Sequence, residues 1–270
     1  MYIRKQGLQQ LDFIILGGGA SGLQLAYRLS NHTAFENASI LILESNNYKG
    51  NDRTWCYWET GDGEWDDLLQ NQWNKVQFKS KNVNKTIDLG SASYKMLRSK
   101  PFYERLHQSL ANNKSIQIEY ARCIGFVDKG SHVTVSTDMQ TYRCSTLFNS
   151  AFDWNVLYKQ SRYPVLQQHF LGWYIKTPRP LFDTKTAIFM DFTVPQFQET
   201  RFMYVLPYSQ TEALIEYTLF SKELLDKSEY EDAIRDYLQD KNITDYQLIE
   251  VEQGSIPMCS YPFWENNSKN

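Results

Sequence analysis

The 270-residue sequence predicts an α/β fold, with a parallel βαβ unit near its start and an antiparallel sheet in its second half. Two observations predict it. Residues 12–44 read as strand, glycine-rich turn, helix and strand, and four short strand-like runs crowd residues 170–219.

The first strand is Asp12-Phe-Ile-Ile-Leu16, an apolar run that ends in glycines, as a buried parallel strand does. A helix follows, because Leu23, Ala26 and Tyr27 keep i, i+3, i+4 spacing and Asn31 closes the pattern. Ser39-Ile-Leu-Ile-Leu43 is the second apolar strand. Val76–Phe78 and Thr86–Leu89 alternate on either side of Lys81–Asn84 and predict a hairpin that interrupts the first domain. Phe102, Leu106 and Leu110 have helical spacing behind Pro101, and several short strands then run to Asn149. Phe170–Ile175, Ala187–Phe192, Phe202–Leu206 and Ala213–Leu219 make the antiparallel sheet. Ser228 and Glu231 predict a capping box opening a helix whose apolar face is Tyr230, Ala233, Ile234, Tyr237 and Leu238. A last strand is expected over Gln247–Val251. The domain reading is a discontinuous nucleotide-binding domain over 1–72 and 91–160, a substrate domain over 73–90 and 161–258, and a polar tail over 259–270.

Composition narrows the function classes. A net charge of -3, with both signs mixed along the chain, gives no electrostatic footprint for nucleic acid. No run approaches the ~18 apolar residues of a membrane-spanning helix, and Met1–Gln10 is too polar for a signal peptide, so a cytoplasmic protein is expected. Cys56, Cys123, Cys144 and Cys259 lack paired spacing, which argues for free thiols and against a metal site. Aromatic residues reach 15%, against a mean hydropathy of -0.53. Most such rings fill cores, and the excess suits an apolar pocket.

Gly17-Gly18-Gly19-Ala20-Ser21-Gly22 satisfies G-x-G-x-x-G between a strand and a helix. The first glycine makes the turn, the second admits a pyrophosphate to the helix N-terminus, and the third lets helix and strand pack closely. Glu44 ends the second strand, where a carboxylate accepts hydrogen bonds from a ribose. The unit therefore predicts a bound dinucleotide, FAD or NAD, with Gly17, Gly19, Gly22 and Glu44 as its contacts.

Further strings follow in order: Asp52-Arg-Thr-Trp-Cys-Tyr-Trp58, Gln168-His-Phe-Leu-Gly-Trp173, Phe189-Met-Asp191, Arg201–Pro207, Ile215-Glu-Tyr-Thr218 and Glu252–Pro257. Together with the glycine loop they resemble the lycopene cyclase family of flavoproteins, the bacterial β-cyclases in particular. The resemblance implies a Rossmann-type fold related to p-hydroxybenzoate hydroxylase and geranylgeranyl reductase. It also implies cyclisation of the ψ-ends of lycopene, with reduced FAD bound and NADPH keeping it reduced. An apolar carotenoid substrate implies peripheral membrane association. The chain departs from the family by ending at Asn270, short of the Gly-rich segment and helices that follow the Ile-Pro string.

Cyclisation needs a proton donor, and a desolvated carboxylic acid supplies one. Glu216 shares a strand face with Leu214 and Thr218 inside an apolar run and matches the family's functional glutamate by its place in Ile215-Glu-Tyr-Thr218. Asp191 interrupts an apolar run, as the deprotonating base or as a structural partner. Trp55, Tyr57 and Trp58 are candidates for binding the substrate and stabilising the cation. Arg53 suits the FAD pyrophosphate or the acidic strings, and Arg98 resembles the flavin-side arginine of related reductases. His169 reads as structural. The rival readings are a redox flavoprotein of the reductase or hydroxylase type and an inactive polyprenoid-binding remnant.

Overall fold

The computed structural model describes residues 10–47 and 49–266. The start of the chain and the last residues of the expected polar tail, 267–270, lie outside the described residues. In chain order the elements are β1 (Gln10–Leu16), α1 (Ala20–Ser30), β2 (Ile40–Glu44), β3 (Thr54–Thr60), β4 (Leu69–Trp73), β5 (Lys75–Ser80), β6 (Val83–Asp88), β7 (Ala92–Arg98) and α2 (Ser99–Ala111). There follow β8 (Ile116–Tyr120), β9 (Cys123–Asp128), β10 (Val133–Thr137), β11 (Thr141–Asn149), α3 (Asn155–Tyr158), β12 (Leu166–Lys176), β13 (Thr186–Asp191), β14 (Thr200–Pro207), β15 (Glu212–Ser221), α4 (Lys227–Asp240) and β16 (Gln247–Met258). They form two units: one runs to Asn51 and takes up Lys100–Val156 and the residues from Pro262, and the other holds Asp52–Ser99 and Leu157–Tyr261.

The first unit carries a six-stranded sheet in the order β8-β2-β1-β11-β10-β9. β8, β2, β1 and β11 run parallel, while β11, β10 and β9 form an antiparallel meander. Every residue of β2 is buried, the mark of a parallel strand covered on both faces. Leu23 and Ala26 are fully buried on α1, as their spacing predicts.

The second unit is built on a seven-stranded sheet, β16-β12-β15-β14-β13-β5-β6, with a three-stranded sheet, β3-β7-β4, beside it. Side chains alternate across the large sheet. Leu171, Trp173, Ile175, Met203, Val205, Ile215, Tyr217 and Leu219 pack with Tyr230, Ile234, Tyr237 and Leu238 of α4. The opposite face carries Tyr174, Leu206 and Leu214, which pack with Trp73, Tyr94 and Met96 of the small sheet.

Four expectations need correction. Residues 52–72, 91–99 and 157–160 belong to the second unit, the first two stretches because β3 and β4 both pair with β7 and the resulting sheet buries its apolar face on the large sheet. The large sheet is mixed, since β13 runs parallel to β5. The capping box of α4 is Asp226 with Glu229, whose carboxylate accepts from the Asp226 amide at 2.9 Å; Glu231 instead pairs with Lys227 and Arg235. β16 continues to Met258, seven residues beyond the predicted end, because it pairs with β12 along its whole length.

Candidate functional site

The glycine loop of the first unit has the geometry its spacing predicts. Gly17 has φ +97°, a left-handed conformation, and its amide donates to the Leu43 carbonyl at 2.8 Å. A side chain at Gly22 would place its first carbon 1.9 Å from the Gly17 carbonyl oxygen. Gly19 differs, since nothing lies within 4 Å of where its side chain would begin. It caps α1 without a side-chain cap, and the first turn has no acidic residue, so open space lies at the amide end of the helix.

Glu44 accepts from the Gly18 amide at 2.7 Å and the Asn46 amide at 2.9 Å, and pairs with Lys49 at 2.8 Å. Burial opposes its ionisation, but Lys49 and the two amides outweigh burial and hold its pKa below the usual value. Gly18, Glu44, Lys49, Tyr103, His107 and Tyr120 are among the residues lining a cleft of about 520 Å³. Open backbone amides, a carboxylate at the end of β2 and this cleft fit the adenosine diphosphate half of FAD.

The second unit places Glu216 on β15, on the face away from α4. Its neighbour Thr218 donates to Glu216 Oε1 at 2.6 Å. The Glu252 carboxyl of β16 lies close enough for its charge to act on Glu216. Protein surrounds Glu216, yet part of its surface stays accessible. Burial, reinforced by the Glu252 charge, pushes its pKa up to about 8. Glu252 is the better solvated by hydrogen bonds. It accepts from Thr54 Oγ1 at 2.6 Å and from the Tyr174 hydroxyl at 3.3 Å, and Arg98 Nη1 lies 4.0 Å away.

Aromatic rings run along the same face. Trp58 lies 4.6 Å from Tyr94 and 5.1 Å from Phe189 between ring centroids, and Phe189 touches Tyr204, which touches Phe202. Tyr204 is directly opposite Glu216 in the β14–β15 register. Cys56 and Tyr94 stand close enough for the Glu216 charge to act on both. A carboxylic acid held protonated beside electron-rich ring faces can protonate an apolar substrate and shelter the resulting cation.

The structure sorts the other predicted residues. Strand alternation puts Trp58 on this face with Thr54 and Cys56, and turns Trp55 and Tyr57 to the other face of β3. Arg98 stacks 4.2 Å over the Tyr174 ring and bonds Glu250 at 2.6 Å, so its charge is committed to carboxylates of its own unit. Arg53 is exposed and donates to the Asp52 carbonyl at 2.7 Å. Asp191 is not brought to Glu216. It is fully buried on the α4 side, accepting from Tyr237 at 2.9 Å and from Thr193, which is the structural one of the two roles expected for it. His169 is buried between Tyr230 at 2.5 Å and Ser221 at 2.7 Å. Sequence reading passed over Glu252, Tyr94, Phe189 and Tyr204 as site residues. The Glu250-x-Glu252 alternation in an otherwise strand-like run was the available signal.

The lycopene cyclase protein family matches residues 12–269. A lycopene β-cyclase of Pseudescherichia vulneris is 26% identical over 92% of this chain and 61% of its own length. Another from Pantoea ananas is 23% identical over 94% of this chain and 65% of its own length. The chain thus spans less than two thirds of the length of these curated relatives. Among solved structures, a geranylgeranyl bacteriochlorophyll reductase-like protein from Thermoplasma acidophilum has a TM-score of 0.64 at 11% identity, covering 93% of this chain and 67% of that one. The fold is the Rossmann-type fold of FAD-binding flavoproteins. With a family match that runs from β1 to beyond β16, the chain belongs to the lycopene cyclase family.

Proposed function

We propose that this chain is a lycopene β-cyclase that closes the ψ-ends of its substrate by acid–base chemistry at Glu216. The observation that carries the reading is a carboxyl whose pKa is pushed up to about 8, set on a sheet face lined with aromatic rings. At neutral pH such a group is still an acid. Its O–H bond breaks as a C–H bond forms at the terminal alkene, leaving a tertiary cation. The neighbouring double bond closes onto that cation, and a ring proton returns to the carboxylate. Atoms and charge balance, so the reaction is an isomerisation. Trp58, Tyr94, Phe189 and Tyr204 exclude water and present their faces to positive charge.

FAD fits the glycine loop of the first unit, with Gly17, Gly19, Gly22 and Glu44 holding its adenosine diphosphate half. Bound and reduced, it would supply electron density to a developing cation, with NADPH as the reductant. Among the described residues no helix is long and apolar enough to cross a membrane. A substrate that partitions into bilayers is met by peripheral association.

The test is product analysis with lycopene, comparing the chain with its Glu216→Gln variant. A product of unchanged mass supports cyclisation, whereas added hydrogen or oxygen supports the reductase or hydroxylase reading. Glu216→Gln keeps volume and hydrogen-bonding capacity but has no proton to give, so ring formation should drop ~10²–10⁴-fold with FAD still retained. Near wild-type cyclisation by this variant overturns the assignment of Glu216.

A further inference from the structure

Glu216 and Glu252 are not on neighbouring strands. β12 runs between β15 and β16, and both glutamates are register partners of the same β12 residue, Gly172. Strands lie ~4.8 Å apart, so two strands separated by a third are ~10 Å apart, and an intervening side chain would normally stand between their residues. At Gly172 there is none. A side-chain carbon there would sit 2.8 Å from Leu214 Cδ1, 3.2 Å from Glu252 Cγ and 3.4 Å from Glu216 Cβ, so the missing methyl group leaves room in which both glutamate side chains approach β12. On either side of Gly172 on this face, β12 carries bulky rings, Phe170 and Tyr174. The gap is confined to the residue between the two acids.

The surroundings of the pair are unequal. Thr54, Tyr174 and Arg98 all turn donors toward Glu252, whereas Glu216 receives one hydroxyl, from Thr218. Two carboxyls in contact cannot both ionise cheaply, and the one with more donors ionises first.

We propose that Glu252 is a positioning residue of the acid machinery, sharing a single proton with Glu216 across the gap left by Gly172. The chemistry it serves rests on the cyclase reading, but the pair itself does not. Glu252 stays a carboxylate and keeps the proton on Glu216, aimed along the aromatic face. When Glu216 gives that proton to the alkene, the pair holds none and is strongly basic. It is then the acceptor for the proton the new ring must lose, and the enzyme ends the cycle with the one proton it began with. This supplies the base that Asp191, on the other face of the sheet, cannot.

The other titratable groups facing Glu216 are Cys56 of β3, Tyr94 of β7 and Tyr204 of β14; burial pushes the thiol up to about 12 and both phenols above their usual range. Glu252 is faced in addition by Tyr174 of β12, raised by burial, and by the permanently charged Arg98 of β7. Burial thus keeps this thiol and these phenols from titrating where Glu216 does.

The experiment is an infrared pH titration of the protonated-carboxyl C=O stretch in the purified chain, with Glu216 assigned by its loss in Glu216→Gln, alongside a pH–rate profile for cyclisation. Wild type should show two linked steps, the second near pH 8. Glu252→Gln removes the neighbouring charge, so the Glu216 step should move down by at least a unit. The alkaline limb of the rate should move with it, each unit leaving ~10-fold less acid above the midpoint, while the rate at low pH recovers. Gly172→Ala, whose methyl group presses on Leu214 and on the stems of both glutamates, should shift the same way. A folded Glu252→Gln with an unmoved Glu216 step, or a rate lowered equally at all pH, overturns the proposal. If that variant does not fold, the wild-type titration decides, because a single unlinked step means there is no pair. Cyclisation by Glu216→Gln would sink the cyclase reading, while the titration still judges the pair.

Discussion

The glycine loop and the acid face solve opposite problems. The loop lies within residues 17–44, and its partners are its neighbours in the same βαβ unit: Gly17 with Leu43, Gly18 with Glu44, Gly22 with Gly17. The acid face draws Thr54, Tyr94, Tyr174, Tyr204, Glu216 and Glu252 from six strands, its first and last residues 198 positions apart. One site is a local backbone conformation that welcomes charge. The other is a side-chain environment that suppresses it. Charge stabilisation needs only oriented amides, which one turn provides, whereas a neutral carboxylic acid needs desolvation from every side.

That contrast is broken most violently at the loop. Gly22→Ala pushes a methyl group to 1.9 Å from the Gly17 carbonyl and should cost ~3 kcal/mol or more, read as a lowered midpoint in denaturant. Gly19→Val is the informative counterpart, because its side chain enters space the protein leaves open. It should fold as wild type and yet lose FAD on gel filtration; retention of FAD there would overturn the pyrophosphate assignment.

Next in size is the pH dependence of stability set by the acid face. Glu216 has a folded pKa raised to about 8, so its contribution is fully present below the ordinary carboxylate range and is lost as pH rises to about 8. Through that window the slope should approach ~1.4 kcal/mol per pH unit, and Glu216→Gln should flatten it. Melting curves between pH 6 and 9 suffice to see this. Two histidines, His107 and His169, have pKa values lowered by burial and act in the opposite sense, below pH ~6.5. Asp191→Asn weakens acceptance from Tyr237 and Thr193 beneath α4 and should cost ~1–3 kcal/mol of stability. It should leave the alkaline limb of cyclisation unmoved, and a shifted limb would restore Asp191 as a base. Glu44→Ala should be the mildest, weakening FAD binding without abolishing it, since one ribose contact goes while the amides stay.

What was legible in the sequence follows from range. β1, α1 and β2 were readable because burial on both faces writes a continuous apolar run, and glycines mark the one turn other residues cannot make. Glu216 was readable too, as a charge standing in an apolar strand between Ile215 and Tyr217. The β3-β7-β4 sheet was not, because the Trp-rich string of β3 and the 92–98 run of β7 carry no mark of their pairing. Nor was the split between Trp58 and its neighbours Trp55 and Tyr57, which strand alternation settles only once the buried face of β3 is known.

By itself the sequence determined the βαβ unit, its glycine turn and the helix α4, all of which rest on periods of a few residues, while Glu216 was picked out by its place in a resembling string. Tertiary structure decided the rest. Only the register of β15, β12 and β16 brings Glu252 to Glu216 through Gly172, and only the packing of Tyr237 on β13 takes Asp191 to the other face. Register is a relation between strands distant along the chain, set by which faces can be buried together, and no local pattern of residues contains it.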